Sequence, residues 1–336
     1  MHGLPFPALN TQTIEMCVDG TNNGDAPDIS IVVPMHNEEG NVERLWEEVD
    51  AVIPELDGSV EIILVNDGSS DRTGELLRAL VEKDPRVRAV ELDGNWGQAS
   101  AFCAGFEVAR GEVILTMDGD LQNDPADFPE SLAKLREGYK AVTGWRKDRQ
   151  ERYWDRVLPS KIANWLIGVV TRVPIHDNGC GLKSYRADVV KGTYLPRGFN
   201  RFMPSIFGVK ADEVAEIRVN DRERFAGATH YGLKRIFIVL KDLLALRAVT
   251  ATNPDRRRTF YSAVRTLSIM SALSVTGLAI GGQGVWWAVG LVPACIAWFL
   301  SHLVCANISR FVETQRTKGF KIREIVEREE RPVSPT

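Results

Sequence analysis

Gly111-Glu-Val-Ile-Leu-Thr-Met-Asp-Gly-Asp-Leu-Gln-Asn-Asp-Pro125 is the stretch that decides how this chain folds. Its first part is an apolar run that reads as a buried strand. Asp124 followed by Pro125 reads as an N-cap with proline at the first helical position. Asp118 and Asp120 therefore fall on a short turn, eased by Gly119, at the carboxyl end of a strand. In an open α/β sheet that edge is where ligands bind. Carboxylates at i and i+2 on an extended turn can aim at one cation, and Gln122 offers a further oxygen. A hard divalent cation such as Mg²⁺ or Mn²⁺ takes oxygen ligands and often shares them with a diphosphate. A bare Asp-x-Asp is more often a pair of solvated turn residues. The strand before it and the capped helix after it weigh against that reading here.

Upstream, the same alternation repeats. Residues 29–34 form a short apolar run ending at Pro34, and a polar loop with Asn37 and Glu38 follows. Residues 41–53 carry apolar side chains at helical spacing. Residues 60–65 read as a second strand ending in the turn Asn66-Asp-Gly-Ser-Ser-Asp71, and residues 87–92 as a third. Asn95-Trp-Gly-Gln98 is then a loop, with a helix after it. Strands alternating with helices predict a mostly parallel sheet covered by helices. Three strand ends, at Pro34, Asp67 and Asp118, carry polar clusters on one edge, and their convergence points to a nucleotide site. There is no Gly-x-Gly-x-x-Gly after the first strand and no P-loop pattern, which argues against the commoner dinucleotide and triphosphate sites.

The 336 residues suffice for one large domain or two smaller ones, and a net charge of −4 gives no general case for nucleic acid. The five cysteines have neither Cys-x-x-Cys nor zinc spacing and read as free thiols of a reducing compartment. Residues 1–28 lack a continuous apolar core and read as a loose tail without a signal peptide.

Beyond residue 141 the character changes. Gly144-Trp-Arg146 ends another strand. Arg149, Arg152 and Arg156 then fall at helical spacing beside Tyr153, Trp154 and Trp165, which suits a helix at a membrane surface or one gripping an anionic headgroup. A solvated basic face over ordinary core is the equal alternative. Residues 214–219 read as a late strand. Residues 231–258 hold an amphipathic, juxtamembrane segment. Two uncharged stretches follow, 266–282 and 285–308, within a hairpin spanning 259–309. A spanning helix needs about 20 apolar residues; the second stretch meets that and the first borrows flanking residues. Arg256, Arg257, Arg258, Arg265, Arg310, Arg316, Lys318 and Lys321 flank the hairpin ends and place them in the cytoplasm. Both termini and a domain at 29–230 are then cytoplasmic, on a protein integral to the cell membrane. Residues 310–336 form a charged, partly helical tail. One hairpin offers little packing area, so a homo-oligomer is expected.

Val33-Pro-Met-His-Asn-Glu38, Val65-Asn-Asp-Gly-Ser-Ser-Asp71, Asn95-Trp-Gly-Gln98 and Met117-Asp-Gly-Asp-Leu-Gln-Asn-Asp-Pro125 together resemble family 2 glycosyltransferases of the polyprenyl-phosphate type. That group includes dolichol-phosphate mannose synthase and the undecaprenyl-phosphate glucosyl- and formamido-arabinosyltransferases. The resemblance continues through Gly144-Trp-Arg146, Arg156-x-x-x-Ser160-x-x-x-Asn164, residues 177–183 and Asn200-Arg-Phe202. It implies a GT-A fold, a UDP- or GDP-linked sugar as donor and a divalent cation. Pro34, Asn37, Glu38, Asp67 and Gln98 would hold the nucleotide sugar, with Asp118. Asp118, Asp120 and Gln122 would hold metal and diphosphate. Arg146, Arg156 and Ser160 would hold the acceptor phosphate. The chain departs from the pattern in a late loop, with Asp221 where many members have histidine and Thr229-His-Tyr231 where many have Ser-Lys-Tyr; from that loop only Arg222 is assigned, to the acceptor.

The implied chemistry is self-consistent. A phosphate monoester has a second pKa of about 6 and is already a nucleophile at neutral pH, so no strong base is needed. Arginines with forked donors suit two anions placed close together. One displacement at the anomeric carbon inverts configuration. Transfer to a polysaccharide or protein hydroxyl is a second expectation, and a non-catalytic membrane scaffold with a relic fold a third. Arg156-x-x-x-Ser160 and a hairpin too small for a channel speak against the former. The intact Asp118, Asp120 and Gln122 speak against the latter.

Overall fold

The computed structural model describes residues 26–147, 158–220 and 286–328, with residues 222, 242, 243, 246, 259, 261–267, 269 and 270 between them. Two compact units emerge. One spans Tyr231–Arg316; the other runs to His230 and resumes at Thr317.

The larger unit is built on an eight-stranded sheet. Its strands are β1 (Ile29–Met35), β2 (Val60–Asn66), β3 (Val87–Leu92), β4 (Val113–Thr116), β5 (Ala141–Trp145), β6 (Lys183–Arg186), β7 (Val214–Arg218) and β8 (Ile322–Val326). Their spatial order is β7-β5-β6-β4-β1-β2-β3-β8. β1, β2 and β3 are buried at every position, as expected of parallel strands covered on both faces. β1 pairs parallel with β2 and β4, β2 with β3, and β5 with β7. β6 is antiparallel to both β4 and β5, and β8 is antiparallel to β3. The sheet is therefore mixed but mostly parallel.

Helices α1 (Val42–Val52), α2 (Thr73–Lys83), α3 (Gln98–Val108) and α4 (Phe128–Arg136) join the strands. α1 turns Val42, Leu45, Val49 and Val52 inward at helical spacing. The chain steps from β1 to β2 and β3 on one side, then returns to place β4 on the other. That reversal leaves a crevice at the carboxyl ends of β1 and β4.

Two segments differ from the sequence reading. Residues 177–186, without a periodic pattern, contain β6. The charged tail returns to the sheet as β8 instead of continuing as helix after Thr317.

In the unit spanning Tyr231–Arg316, one helix begins at Trp286 and runs to Thr317 at the boundary. Buried Asp242 accepts from Arg310 Nη2 at 3.2 Å and from Asn307 Nδ2 at 3.4 Å. Ile296, Trp298, Phe299 and Leu300 on that helix are exposed. Among the described residues no helix is long and apolar enough to cross a membrane. Most of the first expected span, 266–282, lies outside the described residues, as do Arg149, Arg152 and Arg156.

Candidate active site at the carboxyl edge of the sheet

Asp118 sits two residues past β4 and is held from several directions. Its backbone N–H donates to Asn123 Oδ1 at 3.1 Å. Its Oδ1 accepts from Gln98 Nε2 at 2.6 Å. Its carboxylate lies against Gly181, where a Cβ would stand 2.3 Å from Asp118 Cγ. Only glycine admits the carboxylate there. Asp120 is buried and its Oδ1 accepts from Gln122 N at 3.2 Å, closing the turn. The left-handed residue of this turn is Leu121 (φ 63°), not Gly119. Gly119 is needed for a different reason: a Cβ would meet Met35 Sδ at 2.4 Å and Pro34 O at 3.0 Å. Asp124 caps the following turn, accepting from Ala126 N at 3.1 Å with Pro125 behind it.

The loops after β1 and β2 are stitched to each other. Asn37, left-handed at φ 55°, donates its N–H to Ser69 Oγ and accepts from Ser70 N at 2.8 Å. Glu38 N donates to Thr73 Oγ1, and Glu38 Oε2 accepts from Asn41 Nδ2. Pro34 lies in β1 beside Val65. Buried Asp67 gives one carboxylate oxygen to Trp96 N at 2.7 Å and the other to Gly97 N at 2.8 Å. It thereby fixes the loop that carries Gln98.

Arg146, just past β5, makes a forked pair with Asp177. Gly179 N donates to Asp177 Oδ1 at 3.2 Å, completing the carboxylate's support. Trp145 stacks on His176 at 4.4 Å, so two adjacent pairs lie in step. Asn164 of helix α5 (Leu158–Thr171) holds the same loop, donating to His176 O at 2.7 Å. Lys183 is fully buried beneath. Its ammonium donates to Cys180 O and to Asn178 O at 3.3 Å. Burial lowers its pKa, opposed by the fields of Asp118 and Asp177. Cys180 is pushed up to about 11 by burial and stays a thiol.

The structure thus brings Gln98 onto Asp118 and sets Asp118, Asp177 and Arg146 near the buried Lys183. Ser160 is half-buried near the start of α5, and Arg156 lies outside the described residues. Arg222 is engaged by Glu48 at 2.6 Å and Asp124 at 2.5 Å. Four residues without a sequence-assigned role enter the site: Asp177, Gly181, Lys183 and Asn200. The run 177–183 and Asn200-Arg-Phe202 were visible as motifs. Asp177, Gly181 and Asn200 meet partners far away in sequence, and Lys183 bonds to carbonyls of an irregular loop, so none leaves a periodicity to read.

Asp118 and Asp120 are two carboxylates carried on one turn. Among the described residues no group of three or more His, Cys, Asp or Glu side chains stands ready for a metal. Two carboxylates within one turn fit a hard cation that arrives with a diphosphate, which would supply further oxygens.

Residues 30–193 match the model of glycosyl transferase family 2. Over 240 residues the chain is 41% identical to the dodecaprenyl-phosphate galacturonate synthase of Rhizobium johnstonii, covering 70% of this chain and 71% of that protein. It is 38% identical to the undecaprenyl-phosphate 4-deoxy-4-formamido-L-arabinose transferase of Pseudomonas aeruginosa, covering 66% of each. Among solved structures, glucosyl-3-phosphoglycerate synthase of Mycobacterium tuberculosis, in complex with Mn²⁺, UDP-glucose and phosphoglyceric acid, superposes with a TM-score of 0.52. That superposition has 17% identity and covers 67% of this chain and 79% of that one.

Proposed function

The chain belongs to glycosyl transferase family 2, and on that premise we propose that it transfers one sugar from a nucleoside-diphosphate sugar to a polyprenyl phosphate, inverting the anomeric carbon. The observation that carries this is the charge layout of the edge. Asp118, bonded by Gln98 and packed against Gly181, and the forked Arg146–Asp177 pair are both near enough to buried Lys183 for their charges to act on it. A reaction between two phosphate-bearing substrates needs both halves, one to hold a cation with the diphosphate and one to hold the attacking phosphate.

Asp118 and Asp120 would hold the cation, Mg²⁺ or Mn²⁺, with Gln122 beside them. When bound it offsets the charge that develops on the departing nucleoside diphosphate. Pro34, Asn37, Glu38, Asp67 and Gln98 surround the nucleotide half. Arg146, with Arg156 and Ser160, would orient the acceptor phosphate; the forked bond to Asp177 fixes the plane of its guanidinium. The names of both relatives contain a polyprenyl phosphate but different sugars, so they support the acceptor and leave the sugar open. The mycobacterial enzyme is solved with UDP-glucose, so UDP-linked sugars are the first donors to try.

A lipid acceptor fits an enzyme held at the membrane. Residues 259–309 would be a hairpin with both ends on the cytoplasmic face. The chain leaves the sheet after β7 and is hydrogen-bonded into it again at β8, which supports an even number of crossings between. Exposed Ile162, Trp165 and Val169, at helical spacing on α5, support contact with a bilayer surface. Self-association through the hairpin belongs to the same reading.

The test uses membranes containing the protein, undecaprenyl phosphate, Mn²⁺ or Mg²⁺ and a panel of labelled UDP- and GDP-sugars. Label should move into the lipid phase from one donor, and fail to move with EDTA or with Asp120→Asn. Folded protein that labels no lipid from any donor and binds neither UDP nor GDP would sink the transferase reading. Wild-type turnover by Asp120→Asn would sink the metal role.

A further inference from the structure

Asp118 does not receive its hydrogen bond from an isolated glutamine. Gln98 Oε1 accepts in turn from Asn200 Nδ2 at 2.6 Å, while Gln98 Nε2 donates to Asp118 Oδ1 at 2.6 Å. Asn200 opens a short turn, Asn200–Phe202, between two buried rings: Phe199 and Phe202 meet edge to face at 5.5 Å. Arg197, in the same segment, donates to Asn95 Oδ1 at 2.9 Å, so the segment grips the Gln98 loop at two points.

This chain of amides has one polarity. An ionised carboxylate only accepts, so Gln98 must present its N–H₂ to Asp118. Its carbonyl then faces Asn200, which must present its own N–H₂. We propose that Asn200 is a positioning residue: through Gln98 it fixes the orientation of the Asp118 carboxylate for the divalent cation that accompanies the donor diphosphate. The inference rests on the metal role given to Asp118 above.

The polarity yields a test that packing alone does not mimic. Asn200→Ala removes the far donor but leaves Gln98 able to face Asp118. Asn200→Asp is nearly isosteric but only accepts, so it draws the Gln98 amide away and turns the glutamine carbonyl toward Asp118. A space-filling role predicts that Asn200→Asp is the milder change; the relay predicts that it is the harsher one. The readout is Mn²⁺ bound to the full-length protein in the presence of UDP, followed by the EPR signal of free Mn²⁺. Asn200→Asp should weaken Mn²⁺ binding by about tenfold or more, the range expected of a group that orients a metal ligand, and Asn200→Ala by distinctly less. Should Asn200→Asp not fold, Gln98→Glu against Gln98→Ala puts the same question from the near side, with Gln98→Glu expected to be worse. Mn²⁺ binding by Asn200→Asp that equals or exceeds that of Asn200→Ala overturns the relay. Asp118→Asn is measured beside them. If it also binds Mn²⁺ like wild type, the metal role of Asp118 falls and the relay falls with it; if it loses Mn²⁺ while Asn200→Asp does not, only the relay falls.

Discussion

Arg146 and Asp177 face each other fork to fork, Nε to Oδ2 at 2.8 Å and Nη2 to Oδ1 at 3.2 Å, with side chains only 13% and 5% exposed. Removing either partner leaves a charge with little water around it. Asp177→Ala should therefore cost about 3–5 kcal/mol of stability, the range for breaking a buried pair, read from urea unfolding. Arg146→Lys keeps the charge but loses the planar fork. It should stay folded while the apparent KM for the lipid acceptor rises much more than that for the donor. An equal rise in both would remove Arg146 from the acceptor side.

Gly181 makes a prediction of the opposite kind. A methyl group there would first meet the Asp118 carboxylate, the far end of a side chain. Gly181→Ala should unfold near the wild-type midpoint yet lose about a hundredfold in turnover, since displacing a reacting group by about 1 Å costs that much. Full activity in that variant would mean the Asp118 position is not critical.

How much of this was legible beforehand depends on the reach of each contact. β1 to β3 announced themselves as apolar runs, and the Asp124-Pro125 cap fixed where the Asp118 turn ends. β6 was hidden because its residues are polar. Buried Ser184 has its hydroxyl met by that of Ser131 of α4 at 2.6 Å, and buried Lys183 donates to the carbonyls of Asn178 and Cys180. Asp67 reads as a nucleoside ligand from its turn, but its hold on the next loop does not show there. Its carboxylate bonds to amides 29 and 30 residues away, which no local pattern encodes. The Asn200 relay spans 102 residues and was invisible for the same reason.

Asp127 gives a pH prediction. Burial, then the neighbouring charges of Asp124 and Glu130, raise its pKa to about 6 from the ordinary 3.8. A carboxyl raised on folding holds its proton more tightly in the native state. Its ionisation therefore opposes folding fully above about pH 6, and the penalty fades as pH falls toward about 4. Asp127→Asn should raise the unfolding midpoint at about pH 7.5, with the gain shrinking through that window and absent near about pH 4. A gain that is constant with pH would point to packing instead of charge.

The tail offers the last test. β8 covers the open edge of β3 and brings charge to buried partners: Arg323 to Glu91 at 3.2 Å and Glu327 to Arg88 at 2.9 Å. The pair between Arg78 and Glu324 is more exposed. Exposed pairs contribute little to stability, so Glu324→Gln should leave the unfolding midpoint nearly unchanged. Ending the chain at Thr317 is a different matter. It bares a long, fully buried strand edge, which invites pairing with other chains, and takes partners from Arg88 and Glu91. The shortened protein should lose about 3 kcal/mol or more and aggregate on concentration, seen by sedimentation. Wild-type stability without residues 318–336 would mean that β8 is a passenger on the sheet, and would also withdraw the argument that the chain must return to the side from which it left.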